Sequence, residues 1–351
     1  MIYQDYKTPL PGVPLDKRFV HEAEHIKRYL SKVKELLDLF DKSNPSASER
    51  REVVDSKKKK IFKVLNKHFL KTWEIAEGLN QTELFYHKSY YQKALIPLLA
   101  TQPLNKRIYE KPLGYPGDYV MMNYYYDNAY EGKTTYDMLL HRYTLELPIS
   151  RAHINRKPYF KERIREIAGR SEKNMMVQIT DFGCGPAREI IELIREEPDL
   201  ARRCVFNCAD IEPLALEYVK KSLDSSKTAA KVKCSKMDVL SLIKKHKHNL
   251  LSADQDLVYA AGLFDYFKDK VAKSVLEALY SMVSNSGVLI IVNVCKQHDW
   301  RAYMELLGDW YLNLRDEEDL LNLARDINGV KEKLVEKDRE TGKNLYLVIK
   351  K

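Results

Sequence analysis

Cysteine is scarce in this chain and never paired in sequence. The five cysteines among 351 residues are Cys184, Cys204, Cys208, Cys234 and Cys295. None stands in a CxxC, and an odd count leaves no complete disulfide framework, so a reducing compartment is expected. No HExxH and no paired Cys/His spacing occurs either, so no metal site is expected. The chain lacks an apolar run long enough to cross a bilayer, and its opening stretch MIYQDYKTPLPGVPLDKRF lacks the apolar core of a secretory signal. A soluble cytoplasmic protein is expected. An acidic balance is missing too, since Lys+Arg 59 against Asp+Glu 50 leaves a formal charge of +9. Such a charge suits nucleic acid or an anionic membrane surface. Lys57 to Lys60 form a run, but the other lysines are scattered along helical segments, so solvated faces explain the charge better than a nucleic-acid groove. His246 and His248, in KKHKHN, also read as solvated.

The length allows more than one ordinary domain. Ala23, Ile26, Leu30, Val33, Leu37 and Phe40 recur at three-four spacing, which predicts an amphipathic helix. Asp41 to Arg50 is polar and reads as a loop. Phe62, Leu65, Phe69, Trp73 and Ala76 mark a second helix, and Leu84 to Leu99 a third. Residues 1–110 are thus expected to be a helical region. Residues 111–132 are rich in Gly, Pro and Tyr without clean periodicity; a long irregular stretch of that kind is usually functional. Helical patterning returns over Thr134 to Leu147 and Arg151 to Ala168, so 111–174 reads as linker and lid helices.

From Met175 to the end strands and helices alternate. VQITDFG, CVFNCADI, KVKCSKMDV, DLVYAAGLF and VLIIVNV read as strands, with helical patterns after the first, second and fourth. That alternation predicts an α/β, Rossmann-like parallel sheet. VKEKLVEKD and KNLYLVIKK flank Arg339-Glu340-Thr341-Gly342, a hairpin that would add an antiparallel edge.

The first strand runs into Asp181-Phe182-Gly183-Cys184-Gly185-Pro186-Ala187-Arg188 and then a helix. Glycines there let the backbone turn sharply and approach a ligand, although tight structural turns use them as well. Asp210 ends the second strand about 25 residues later, the spacing of a ribose-binding acid. Asp238 ends the third strand and could accept from an adenine amino group, or simply cap the next helix. Asp181 suits a ligand carrying an ammonium group and suits a pyrophosphate poorly, because like charges repel.

With Asp-x-Gly-x-Gly, two strand-end acids and a closing hairpin, residues 175–351 resemble the class I S-adenosylmethionine-dependent methyltransferase fold. A narrower resemblance runs from about residue 85 to the end. Lys111-Pro112-Leu113-Gly114-Tyr115-Pro116-Gly117-Asp118-Tyr119, Met121-Met122-Asn123, Ala261-Gly262-Leu263-Phe264-Asp265-Tyr266 and Trp310 followed by Arg315-Asp316-Glu317 carry it. They resemble bacterial extracellular factor 3-hydroxypalmitic acid methyl ester biosynthesis proteins. The resemblance implies S-adenosylmethionine as cofactor. Gly183, Gly185 and Pro186 would cradle its methionine portion, Asp210 with Ile211 the ribose side, and Asp238 with Val239 the adenine. Gly262 and Leu263 would face the sulfonium.

No residue demands the role of nucleophile. A small-molecule acid, such as a fatty or hydroxy-fatty acyl carboxylate, would arrive ionised and need only positioning and desolvation. A hydroxyl or amine acceptor would need a general base, for which His141 and His153 are the candidates, although each also reads as an ordinary packed histidine. Arg151 and Arg156 could bind a substrate carboxylate, or pair with nearby glutamates. Tyr115, Tyr119 and Tyr124 to Tyr126 could line an acceptor pocket. Tyr115, Arg151 and His141 are therefore the expected catalytic group. The alternatives are a methyltransferase for nucleic acid or protein, and a non-catalytic protein that binds S-adenosylmethionine. The fourth strand ends Ala260-Ala261-Gly262-Leu263, without the Asn-Pro-Pro-Tyr type motif of base-amino methyltransferases.

Overall fold

The computed structural model describes residues 13–171, 175–224, 230–243, 254–297 and 299–351. His246 and His248 lie outside the described residues. The chain forms two compact units, and neither is continuous in sequence.

The helical unit takes the described residues up to Gly117, Asn128–Leu147, and the described part of 298–311. Numbering helices along the whole chain, it holds α1 (Lys17–Asp41), α2 (Ala47–Ala76), α3 (Gln81–Leu99), α4 (Pro103–Glu110) and α6 (Thr135–Glu146). Each start has a local cause. Asp16 accepts from the Arg18 N–H at 2.7 Å, and Ser46/Glu49 and Asn80/Glu83 form reciprocal capping boxes. Pro103 occupies the first turn of α4, where its missing N–H costs nothing. The three-four spacing of α1 becomes its buried face, with Phe19, Ala23, Ile26, Leu30, Val33 and Leu37 inside. A π-helical segment, Ala302–Leu307, belongs here rather than with the sheet that precedes it in sequence. Its Tyr303 accepts from Asn105 Nδ2 at 2.6 Å, shares a hydrogen bond with Thr144 Oγ1 at 2.8 Å, and packs its ring on Phe69 and Tyr143.

The second unit takes Asp118–Asp127, Pro148–Gln297 and Leu312–Lys351. Its strands are β1 (Val177–Phe182), β2 (Cys204–Asp210), β3 (Lys231–Lys236), β4 (Gln255–Ala260), β5 (Val283–Val294), β6 (Glu332–Lys337) and β7 (Asn344–Lys350). Their order across the sheet is β3-β2-β1-β4-β5-β7-β6. β1 to β5 pair in parallel, and β7 lies antiparallel to both β5 and β6. The Rossmann-like sheet with an antiparallel terminal hairpin expected from the sequence is the one found.

Alternation along each strand feeds two cores. Ile179, Leu257, Tyr259, Ile290 and Val348 face a layer with α7 (Pro148–Arg170), α8 (Arg188–Glu196) and α10 (Pro213–Asp224). Phe182, Val258, Ala260, Ile291 and Leu347 face α11 (Asp269–Ser281) and α12 (Glu317–Leu323). A short α9 (Pro198–Ala201) leads into β2. The remaining helix, α5 (Tyr119–Asp127), forms inside the stretch that sequence patterning marks as irregular. Asp118 starts it by accepting from the Val120 and Met121 N–H groups at 3.0 and 2.9 Å. Among the described residues, no helix is long and apolar enough to cross a membrane.

The strand order reverses between β1 and β4. In open α/β sheets the crevice at such a reversal, outside the carboxyl ends of the strands, is where ligands bind.

Candidate functional site

The loop leaving β1 opens this crevice. Gly183 and Gly185 have φ of +67° and +50°, in the left-handed region that glycine reaches without penalty. Around Gly185 nothing lies within 4 Å of where a Cβ would stand, so its face is open. The loop is held to β2: Gly183 N–H donates to the Ala209 carbonyl and Gly185 N–H to Asp210 Oδ2, both at 2.8 Å. Pro186 is buried beneath the turn. Arg188, where a third glycine would stand, donates to Asp127 and Asn123 of α5 at 2.8 and 3.1 Å.

Three carboxylates gather beneath this loop. Asp181 is 1% exposed, and its Oδ1 has no hydrogen-bond partner among the described residues. Burial, then the neighbouring Glu189 carboxyl, pushes its pKa well above the ordinary value. Glu189, in the first turn of α8, is also buried and raised by that burial, and it accepts from the Tyr259 hydroxyl at 2.9 Å. Two buried carboxyls in contact cannot both ionise cheaply, so the pair shares a proton. Asp210 accepts from Gly185 and from the Glu212 N–H at 2.9 Å, and burial raises its pKa. Each of its oxygens keeps a lone pair for a further donor.

At the ends of β2 and β3 the surface becomes apolar. Ile211 is 57% exposed beside Asp210. Asp238 is exposed and accepts from the Leu240 N–H at 2.9 Å, so it caps the 3₁₀ turn Val239–Ile243. That turn places the Val239 side chain in the core with Met237 and Leu242.

Across the crevice, β4 exits through Gly262 and Leu263. Leu263 packs on Gly183, and Arg156 Nη1 lies 3.4 Å from where a Cβ on Gly262 would stand. Arg156 is 3% exposed. Its Nη2 donates to Asn344 Oδ1 at 2.9 Å and lies 3.6 Å from Asp265 Oδ2. Burial raises the Asp265 pKa, while its Oδ1 accepts from the Val294 N–H at 2.7 Å and so ties the β4 exit to β5. The Tyr125 ring lies 5.8 Å from that of His153, and burial pushes its phenol up to about 12. Burial also drives the Tyr126 phenol well up, and its hydroxyl lies within electrostatic reach of Glu189, Arg156 and Asp181. His153 Nδ1 bonds the Ile149 carbonyl at 2.6 Å, and burial holds the imidazole neutral, well below its usual pKa.

The structure thus gathers Asp181, Gly183, Gly185, Pro186, Asp210, Gly262 and Leu263 around one crevice. Of the expected catalytic group, Arg151 belongs to the sheet unit, and His141 and Tyr115 to the helical unit. Arg151 lies on the surface and pairs with Glu340 through two contacts, at 3.0 and 3.3 Å. His141 belongs to the helical unit, where Gln102 Oε1 lies 3.2 Å from Nδ1 and burial pulls the pKa down to about 4. Tyr115 belongs to that unit too and is half-buried in the turns after α4. Among the described residues, no group of three or more His, Cys, Asp or Glu is arranged to hold a metal ion. Sequence reasoning missed Glu189 altogether; its one signal was an acid inside the apolar stripe of REIIELIRE.

Residues 114–337 match the sequence model of a family described as "Putative methyltransferase". No protein of curated function matches the chain. Among solved structures, a possible exported protein from Bordetella parapertussis is similar at 15% identity and a TM-score of 0.53, over 67% of this chain and 79% of that one. Magnesium protoporphyrin IX methyltransferase from Synechocystis, with bound SAH, is similar at 12% identity and a TM-score of 0.43, over 58% and 86%. The N-methyltransferase NodS from Bradyrhizobium japonicum, in complex with S-adenosyl-l-homocysteine, gives 12%, 0.39, 58% and 88%. The first is a likeness of fold alone.

Proposed function

The chain belongs to this methyltransferase family, and we propose that it moves the methyl group of S-adenosylmethionine onto a carboxylate oxygen of a small acid, a fatty or hydroxy-fatty acid foremost. The observation that carries the reading is the unpartnered, buried Oδ1 of Asp181 beneath a glycine loop with an open face. A buried acceptor without a donor costs about 1–3 kcal/mol, so it calls for a ligand that donates, and the ligand's ammonium group fits.

Asp210 would take the ribose hydroxyls, Asp238 the adenine amino group, and Ile211 would cover a flat ring face. The cofactor would supply an electrophilic methyl on a sulfonium, beside Gly262 and Leu263. The chain's own residues then hold the acceptor oxygen in line and strip it of water, which can lower a barrier by roughly 7–11 kcal/mol.

The acid reading draws on the histidines. Burial keeps both His141 and His153 neutral with weakened basicity. Either would be a poor base toward a hydroxyl or an ammonium, whereas a carboxylate arrives deprotonated. The exposed pair of Arg151 with Glu340 could open to receive such an acid from solvent.

The test is transfer of a labelled methyl group, with a chelator present, to a panel of fatty, hydroxy-fatty and aromatic acids and to RNA and protein extracts. Ester formation on an acid, retained within about tenfold in His153→Gln, is the expected result. Transfer only to RNA or protein would overturn the reading.

A further inference from the structure

Sequence reasoning missed one HExxH, His21-Glu22-Ala23-Glu24-His25 on α1. Its Glu22 is taken by His68 at 2.5 Å, and among the described residues no metal-holding group forms around it. A second cluster carries further. Three of the five cysteines, far apart in sequence, meet in the sheet unit. Cys208 in β2 and Cys234 in β3 are register partners. Adjacent strands run about 4.8 Å apart, inside the Cα separation of roughly 4.4–6.8 Å that a disulfide spans. Cys184 stands in the loop after β1, between Gly183 and Gly185, and its N–H donates to the Ala209 carbonyl at 3.2 Å. The Cys208 thiol shares hydrogen bonds with both Cys184 and Cys234, so it is the middle of a row of three.

The row is graded in exposure. Cys234 is half-buried on the edge strand, Cys208 is 0% exposed and Cys184 7%. The other two cysteines stand apart, Cys204 donating to the Leu200 carbonyl and Cys295 to that of Gln297. An oxidant from solvent therefore meets Cys234 first, and the row offers a way inward from there. The shared hydrogen bonds and burial raise the Cys208 and Cys234 thiols. At Cys184 the Cys208 bond lowers the pKa, but burial outweighs it and takes the thiol up to about 12. Few thiolates exist at neutral pH, so the chemistry is slow and answers to sustained oxidant.

We propose that Cys234, Cys208 and Cys184 are a site of oxidation by peroxides, a thiol relay that carries a disulfide from the edge of the sheet onto the cofactor loop. The Cys234 sulfur takes an oxygen from the peroxide, giving a sulfenic acid and water. The Cys208 thiol attacks that sulfur, the S–S bond forms, and a second water leaves with the Cys208 proton. The Cys184 thiolate then attacks Cys208, the Cys208–Cys234 bond breaks, and Cys234 leaves as a thiolate that takes up the proton Cys184 gave. Two thiols have lost two electrons to the peroxide. A Cys184–Cys208 bond of about 2.05 Å draws the loop onto β2, and the Gly183 and Gly185 N–H groups that tie the loop to Ala209 and Asp210 must shift with it. Because that loop is read as the seat of S-adenosylmethionine, oxidation should weaken cofactor binding.

The experiment treats the full chain with hydrogen peroxide, maps disulfides by mass spectrometry of non-reduced peptides, and measures S-adenosylhomocysteine affinity by calorimetry. A Cys184–Cys208 linkage should form while Cys204 and Cys295 remain thiols, with a rate that rises about tenfold per pH unit as thiolate accumulates. Affinity should fall at least about tenfold and return with dithiothreitol, which leaves any methionine sulfoxide untouched. Cys234→Ser should keep the affinity of the reduced wild type within about twofold and slow the linkage at least about tenfold. A Cys184 that stays reduced, a linkage formed as fast without Cys234, or an oxidised chain of unchanged affinity overturns the relay. If Cys234→Ser does not fold, the wild-type time course decides. A Cys208–Cys234 linkage should rise and fall ahead of Cys184–Cys208, and Cys184–Cys208 appearing without it overturns the proposal. Failure of the reduced chain to bind S-adenosylhomocysteine would sink the cofactor reading, a separate result, and the linkage map would still judge the relay.

Discussion

Leu263 and Gly183 are in contact, and the contact forbids a side chain on Gly183. A Cβ there would stand 2.6 Å from Leu263 Cδ2 and 2.7 Å from Cγ. The β4 exit and the β1 loop, about 80 residues apart, thus set each other's positions. Gly185, two residues further on, meets nothing. The two glycines share a left-handed backbone but differ in what stands before them.

That difference is measurable. Gly183→Ala should lower stability by about 2–4 kcal/mol, from left-handed strain plus overlap with Leu263. Gly185→Ala should cost only the strain, about 1–2 kcal/mol, and yet weaken S-adenosylhomocysteine binding, because its methyl would fill the open face. Urea unfolding and calorimetry on both variants check this. Equal stability losses would contradict the contact.

Asp210→Ala should weaken S-adenosylhomocysteine binding by about 1–3 kcal/mol, the loss for a buried hydrogen-bonding group without its partner. The Gly185 N–H would lose its 2.8 Å acceptor as well, so the loop should loosen. Unchanged affinity in calorimetry would remove Asp210 from the site.

The Asp181–Glu189 pair should make stability depend on pH. Both pKa values are raised, chiefly by burial, so the folded chain holds protons that the unfolded chain has released. Stability from the pair is present below the ordinary carboxyl range and lost as pH rises through the raised values, by up to about 1.4 kcal/mol per pH unit for one proton. Asp181→Asn should therefore be more stable than wild type at pH 8, with the gap shrinking toward pH 4, while binding cofactor more weakly. Parallel urea curves from pH 4 to 8 are the check, and a gap that does not change with pH would refute the shared charge.

α7 should be indispensable to the sheet unit. Phe160 stacks on Tyr259 with ring centroids 4.2 Å apart, and Phe160, Ile164 and Ala168 sit in the core beneath β1 and β4. Phe160→Ala should cost about 3–5 kcal/mol. A fragment beginning at Met175 should lack cooperative unfolding, and a sharp two-state melt from it would show that α7 is dispensable.

The sequence by itself determined whatever is local. Strand alternation, capping boxes and the glycine turn depend on neighbours a few residues apart, so the parallel sheet, its reversed hairpin and the loop above Asp181 were legible in the residues. That Asp210 ends a strand was legible as well, because the end of a strand is visible in sequence. Only the tertiary structure decided which charges meet. Arg151 and Arg156 look alike in RAHINR, yet one reaches Glu340 at the surface and the other is buried beside Gly262. Glu189 drew no reading from the sequence, and only the placing of α8 sets it against Asp181 and Tyr259. Tyr303 likewise sits in the helical unit and Tyr126 in the sheet unit, each with residues far away in sequence. The reason is physical. A charge is assigned by its partners through space, and burial, which sets the cost of leaving it unpartnered, is a property of the whole fold rather than of the segment that carries it.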